Sequence, residues 1–310
     1  MRLSSRGPFV ACALVLSLGA CKKSTALEEE PGGALDDGGA GVFGENKDGG
    51  PTSNVPECAE ETKDIFVISE EKSLYSFHPP TLAFKNLGLI DCPTGGATPT
   101  SMAVDRFGKA WVRHTDGAIW KVDTKTLACE ETKFAPPGEG DGAFFKFGMG
   151  FASTSKGSSN EELFLADSLG TGLAQLDTRT LTLKIVGPFT GELDGKTAEL
   201  TGTGDGKLYG FFVTAPARVA EISKGTGAII NSKELPDVYA GNAWAFSFYA
   251  GDFYIYTSSD GGGLPNGGGL GSDVTRYRPS DGSVEVVKPK IGFKIVGAGV
   301  STCAPTTGPR

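Results

Sequence analysis

Lys109–Phe134 reads KAWVRHTDGAIWKVDTKTLACEETKF. Short runs rich in Ala, Val, Ile and Trp are cut by polar turns at Asp116-Gly117 and Asp123–Thr126. Apolar runs bounded by Asp/Gly/Thr turns predict strands at Ala110–Arg113, Ala118–Val122 and Leu127–Lys133. No window shows a helical period with capping residues, so an α/β fold is a poor fit.

The same pattern recurs four more times along the chain. Upstream lie Asp64–Ser69, Ser73–His78 and Ala83–Ile90, then Ser101–Asp105 leading into the organising stretch. Downstream come Phe147–Ser153, Glu162–Asp167, Gly172–Asp177 and Leu181–Val186, followed by Glu199–Thr203, Lys207–Val213, Arg218–Ile222 and Ala228–Asn231. The last set is Trp244–Phe248, Asp252–Thr257, Asp273–Arg278 and Ser283–Val287. The corners between third and fourth strands align as IWKVDTKTLACEE, LAQLDTRTLTLKI, VAEISKGTGAIIN and TRYRPSDGSVEVV. Asp123 to Asp177 is 54 residues, Asp177 to Ser223 is 46, and Ser223 to Pro279 is 56. Four strands per repeat at such a period predict an all-β fold, a β-propeller.

The ends of the chain complement each other. The first repeat lacks an inner strand, and Gly297–Cys303 (GAGVSTC) has inner-strand character without a repeat of its own. Pairing the two gives five four-stranded blades closed by the C-terminal strand, leaving no open blade edge. Six blades would need strands from the residues before Cys58, which lack apolar alternation; an open sandwich is the other alternative.

Cysteine usage fits this closure. Beyond Cys12 and Cys21 the chain has Cys58, Cys92, Cys129 and Cys303, an even number without a C-x-x-C pair, which favours disulfides over a zinc site. Four cysteines allow three pairings. The ring places Cys303 beside Cys58, which leaves Cys92 with Cys129.

The first twenty residues carry Arg2 and Arg6 and then an apolar run, Pro8–Leu18, too short to span a bilayer. The run ends in Leu18-Gly19-Ala20-Cys21, which resembles a bacterial lipobox. That resemblance implies a lipoprotein whose residues 1–20 are a signal peptide and whose Cys21 is lipidated. Lys22 in place of Asp then points to the outer membrane, with its side left open. Residues 21–57 carry Lys22, Lys23 and Lys47 against eight acids, a net of −5, and many Gly residues. Such a composition cannot repay the entropy of ordering, so a disordered tether is expected there, with the propeller domain over 58–310. The formal charge of the whole chain, −8, disfavours a nucleic-acid partner, which needs a basic surface.

Strand order sorts the loops. In each blade the turns between strands two and three, and the links between blades, emerge on one face, here face one. The remaining turns emerge on face two. The longer loops, including Ser258–Ser272 (SSDGGGLPNGGGLGS), fall on face one, so a binding surface is expected there. Its candidate residues are His114, Asp116, Glu139, Asp141, Glu192, Asp194 and Asp260. Converging carboxylates could hold calcium, although solvated loop acids are the plainer reading, and no other cofactor is expected. His78, the only other histidine, falls on face two, so the two histidines cannot share a metal or a triad.

The consensus x-Ala-x-Asp…Gly-x-x-Trp-Val…Gly-x-Ile-x-x-Val-Asp-x-x-Thr, over Asp64–Cys303, resembles the extracytoplasmic propeller repeats of the NHL, YVTN and streptogramin-lyase-like superfamily. The resemblance implies the fold. Lyases of that superfamily use a metal and a catalytic His at the channel mouth, where only His114 is available. A non-enzymatic envelope module that binds a protein or glycan is therefore the leading expectation, and a metal-assisted lyase or hydrolase the second.

Overall fold

The structure is a computed structural model that describes residues 58–137, 140, 142–258 and 271–308. The expected leader, Cys21 and the acidic tether lie outside these residues.

Five antiparallel four-stranded sheets form the blades of a propeller. Blade one takes β1 (Ile65–Ser69), β2 (Ser73–His78) and β3 (Ala83–Leu89). Blade two is β4 (Pro99–Val104), β5 (Lys109–His114), β6 (Ile119–Asp123) and β7 (Cys129–Glu131). Blade three is β8 (Phe147–Ser153), β9 (Glu161–Asp167), β10 (Leu173–Leu176) and β11 (Leu183–Gly187). Blade four is β12 (Ala198–Gly202), β13 (Leu208–Phe212), β14 (Ala217–Ile222) and β15 (Ile229–Leu235). Blade five is β16 (Ala243–Tyr249), β17 (Asp252–Ser258), β18 (Asp273–Arg278) and β19 (Ser283–Lys288). The last strand, β20 (Ile295–Val300), returns to blade one and pairs antiparallel with β1, Ile65 opposite Val300 and Val67 opposite Ala298.

The inner strands β4, β8, β12, β16 and β20 neighbour one another around the ring. Each is covered on both sides by adjoining blades, so β8 and β12 are buried along their whole length. The outer strands have a solvated side, and β3, β15 and β19 are largely exposed. Close approach of inner backbones sets a steric demand. A Cβ on Gly148 would lie 2.3 Å from the Ala198 carbonyl oxygen, and one on Gly297 would lie 3.0 Å from the Met102 amide nitrogen. A side chain at either position would push two blades apart.

The apolar side chains pack in five clusters, one per seam between blades. Phe66, Ile68, Met102 and Val112 join blades one and two, and Trp111, Phe147, Phe151 and Leu165 join two and three. Phe164, Phe189, Leu200 and Phe212 hold three to four, Phe211, Phe246 and Phe253 hold four to five, and Phe77, Tyr254 and Tyr256 hold five to one. Truncating one such side chain to Ala costs about 2–5 kcal/mol.

The repeated corners have one geometry. Asp123 Oδ1 accepts the amides of Lys125 and Thr126, and Asp177 Oδ1 accepts those of Arg179 and Thr180. Each corner then bends through a left-handed residue, with φ of 60° at Leu127, 58° at Leu181, 78° at Gly227 and 74° at Gly282. This explains two boundary corrections: the outer strands of blades two and three start at Cys129 and Leu183, after the bend, instead of at Leu127 and Leu181. The closing strand also stops at Val300, before Cys303.

Candidate functional site

Both disulfides follow the topology. Cys58 bonds Cys303 across a sequence separation of 245, and Cys92 bonds Cys129 across 37. The first lies on face two, where the tail beyond β20 crosses the end of the channel. Thr302 Oγ1 donates to Glu161 Oε2 of blade three at 2.8 Å, and the Ala250 amide of blade five donates to the Pro305 carbonyl at 2.7 Å. A Cβ on Gly204 of blade four would meet the Thr302 carbonyl oxygen at 2.3 Å. Blade one neighbours only two and five, so a tail that starts from blade one and touches three and four has spanned the channel. Face two is the capped end.

Face one is open. A cavity of about 540 Å³ sits at the channel mouth, where the inner strands begin. This is the size range of small-molecule sites, about 300–1,000 Å³. Two ionisable side chains from within strands, Arg113 and Glu199, form its floor. Arg113, on β5, is 4 % exposed; its Nε and Nη2 donate to the Phe145 carbonyl at 3.0 and 2.6 Å, and its Nη1 donates to Thr100 Oγ1. Its guanidinium also lies 5.3 Å from the centre of the Phe147 ring, a favourable cation–π distance. Burial pulls the guanidinium down to about 10, which leaves it cationic at neutral pH.

Glu199, on the inner strand β12, is 7 % exposed and accepts a 2.9 Å bond from Ser101 Oγ of blade two. Burial pushes its carboxyl up to about 8, against the opposing pull of the Ser101 bond and of Arg113. At neutral pH it is therefore mostly protonated. Around this floor Thr100, Thr115, Ser168 and Thr197 present hydroxyls, and Trp244 and Phe147 supply apolar wall. Lys146 and Lys294 stand at the rim, the latter 3.4 Å from Glu70.

None of the four described candidates from the sequence lines this cavity. His114 ends β5 and alternates with Arg113, so it sits on the strand side of Ala110 and Val112, in the seam between blades one and two. It is 1 % exposed, its Nδ1 has no hydrogen-bond partner, and burial lowers its pKa. Asp116 caps its own turn by accepting the Ala118 amide at 3.0 Å. Glu192 pairs with Arg218 at 2.6 Å on the outside of blade four, and Asp194 is exposed beside it. Glu139, Asp141 and Asp260 lie outside the described residues, as does most of the Gly-rich insertion. His78 bonds Asp64 at 2.7 Å on the opposite face. Among the described residues no three His, Cys, Asp or Glu side chains gather as metal ligands would.

The residues that form the mouth lie largely at the ends of inner strands, whereas the sequence pattern points to loop acids. Arg113 and Glu199 carry charge inside strands that must be buried, and that mismatch is the readable signal. Lys294 comes from the link between β19 and β20, a link implied by ring closure.

The fold and site define a five-bladed β-propeller whose channel is crossed by the C-terminal tail at one end and carries a cavity at the mouth of the other. No family model matches the chain, and no curated protein matches it. Among solved structures it is similar to a protein of unknown function from Bacteroides caccae, at 12 % identity and a TM-score of 0.44, covering 76 % of this chain and 97 % of that one. It is also similar to a luciferin-regenerating enzyme, at 16 % identity and a TM-score of 0.40, covering 75 % and 78 %. A third is the extracellular domain of a putative hybrid two-component system from B. thetaiotaomicron, at 12 % and 0.37, covering 76 % of this chain and 29 % of that one. Likenesses this distant lend the chain no activity.

Proposed function

We propose that this chain is a lipid-anchored propeller of the bacterial outer membrane that acts as a binding module, taking a glycan or protein partner at the face-one mouth. The observation that carries this reading is the asymmetry of the channel: a cavity of mixed polar and apolar lining at one mouth and a tail fastened across the other end. Hydroxyls, a buried guanidinium, a buried carboxyl and an aromatic wall are groups from which recognition sites are built. Among the described residues the lining holds neither His nor Cys, the side chains from which a nucleophile–base pair is most often built. The lipobox resemblance at Leu18–Cys21 supports the anchor, and the acidic composition of 22–57 supports a spacer between lipid and domain.

Two variants of the full chain test this. Cys21→Ala should release the protein from the membrane fraction into the soluble fraction. Lys146→Glu, an exposed change at the rim, should lose a partner that the unaltered protein captures from envelope extract. Capture that ignores Lys146→Glu would remove the mouth from the interaction, and a membrane-bound Cys21→Ala would remove the lipid.

A further inference from the structure

The two disulfides sit in different surroundings. Cys92 is 7 % exposed and packs in the seam between blades one and two. Among the described residues no cationic side chain bonds either sulfur of Cys92–Cys129. Cys58 and Cys303 are both partly exposed, and Arg106 Nη2 donates to Cys58 Sγ at 3.4 Å.

Arg106 is short of partners. It stands on the turn between β4 and β5 and is 8 % exposed. Its Nε is buried with no hydrogen-bond partner, and its Nη1 reaches the Ser158 carbonyl only at 3.4 Å. Among the described residues its guanidinium forms no ion pair. The carboxyls around it serve other donors. Asp105 accepts the Phe107 and Lys109 amides and the Trp111 indole. Glu161 accepts the Arg106 main-chain amide and the Thr302 hydroxyl. A guanidinium this buried is stabilised by a counter-charge. A thiolate on Cys58 would supply one, at an atom the guanidinium already touches.

We propose that Cys58–Cys303 is a thiol-exchange site, opened in the folded protein by a dithiol, with Arg106 stabilising the sulfur that leaves. A thiolate of the dithiol attacks Cys303 Sγ, and a new S–S bond forms as the Cys58–Cys303 bond breaks. The electron pair of the broken bond stays on Cys58 as a thiolate beside Arg106. The second thiol of the reductant then gives up its proton and attacks the reductant's own sulfur in the mixed disulfide. Cys303 leaves as a thiolate and takes up a proton, and the dithiol departs as a disulfide, oxidised by two electrons. A departing thiol leaves faster the lower its pKa, and an adjacent Arg lowers it. The ring need not open for this. β20 keeps its ladder with β1, and the tail keeps Thr302 on Glu161 and Pro305 on the Ala250 amide. Exchange frees Cys58 from the tail at the end of the channel opposite the mouth, so the inference stands apart from the binding module proposed above.

The test is reduction of the full chain by dithiothreitol without denaturant. Free thiols are trapped with iodoacetamide at intervals and located by peptide mass spectrometry. Cys58–Cys303 should open faster than Cys92–Cys129 by about tenfold or more. Arg106→Gln should slow its opening by about threefold or more, and Arg106→Lys, which keeps the charge, should restore most of the rate. In the reduced protein Cys58 should alkylate at lower pH than Cys303, and Arg106→Gln should remove that difference. A purely structural Arg106 predicts the opposite sign, because a loosened turn exposes the disulfide and speeds its reduction. Faster or unchanged opening in Arg106→Gln, no rescue by Arg106→Lys, equal rates for the two disulfides, or equal alkylation of Cys58 and Cys303 would each overturn the proposal.

Discussion

The two ends of the channel each hold a glutamate near an arginine, half-buried at one end and buried at the other, and they put it to different uses. At the capped end Glu161 spends both oxygens on structure: Oε1 accepts the Arg106 amide at 2.9 Å and Oε2 accepts the Thr302 hydroxyl at 2.8 Å. The Arg106 side chain continues the tie, its Nη1 to the Ser158 carbonyl and its Nη2 to Cys58 Sγ, each at 3.4 Å. At the open end Glu199 accepts from Ser101 Oγ and from the Met149 amide and borders the cavity at the mouth. The same pair of residue types thus ties the C-terminal tail down at one end and stands under the channel mouth at the other. Burial raises both carboxyls, Glu161 to about 7 and Glu199 to about 8. The difference lies in what faces them.

The largest effect should come from opening the capped end. Cys58–Cys303 closes a loop with a sequence separation of 245, for which the chain-entropy relation gives about 5 kcal/mol, against about 4 kcal/mol for the 37-residue separation of Cys92–Cys129. Replacing Cys58 and Cys303 by Ser together should therefore lower the denaturation midpoint more than replacing Cys92 and Cys129. The measurement is urea unfolding of both double variants. A smaller loss for the ring-closing pair would mean that the tail's hydrogen bonds hold the seam without the covalent link.

Next in size is the pH response of the open end. Glu199 has its folded pKa raised from 4.5 to about 8. Below about 4.5 the carboxyl is protonated folded or unfolded, and its contribution is fully present. As pH rises from there to about 8 the unfolded chain gives up the proton while the folded protein keeps it, so stability falls; above 8 the loss is complete. The shift caps that loss at about 5 kcal/mol. Glu161 adds a smaller decline that ends near pH 7. Glu199→Gln should flatten the melting temperature between pH 7 and pH 8, where Glu161 no longer contributes, and should be more stable than the unaltered protein at pH 9. Parallel curves for the two proteins over that interval would show that Glu199 is not buried as a neutral acid.

The architecture was legible because the repeat writes the same physics several times. Asp123 and Asp177 cap equivalent corners with equivalent bonds, and a period that recurs needs no single strong signal. The ring closure and both disulfides followed from one observation, a first blade short of a strand. Leu127 and Leu181 look like strand residues because nothing in Leu marks a left-handed backbone; only the corner's geometry demands it. The mouth was hidden for a different reason. Loop acids such as Asp116 and Glu192 looked available, but short-range bonding to Ala118 and Arg218 occupies them. Arg113 and Glu199 lie seven strands (β5 to β12) and 86 residues apart (113 to 199), and only closure of the ring brings them to one cavity.

The smallest effect tests whether the cap and the mouth are independent. Thr302→Val keeps the shape of the side chain and removes the hydroxyl that bonds Glu161. Losing one such bond costs about 1 kcal/mol. For a domain of this size that lowers the melting temperature by about 2–4 °C. Glu161 loses a donor that favours its ionised form, so its carboxyl rises further and the variant's deficit should grow above pH 7 and shrink below pH 5. The mouth, at the other end of the inner strands, should bind its ligand unchanged. Calorimetric melting of Thr302→Val at pH 5 and pH 8 checks the first part, and titration of its mouth ligand checks the second. A deficit that is equal at both pH values would detach Thr302 from Glu161. A change in ligand affinity would show that inner strands packed backbone to backbone at Gly148 and Gly297 carry strain from the cap to the mouth, joining two ends that the hydrogen bonds keep separate.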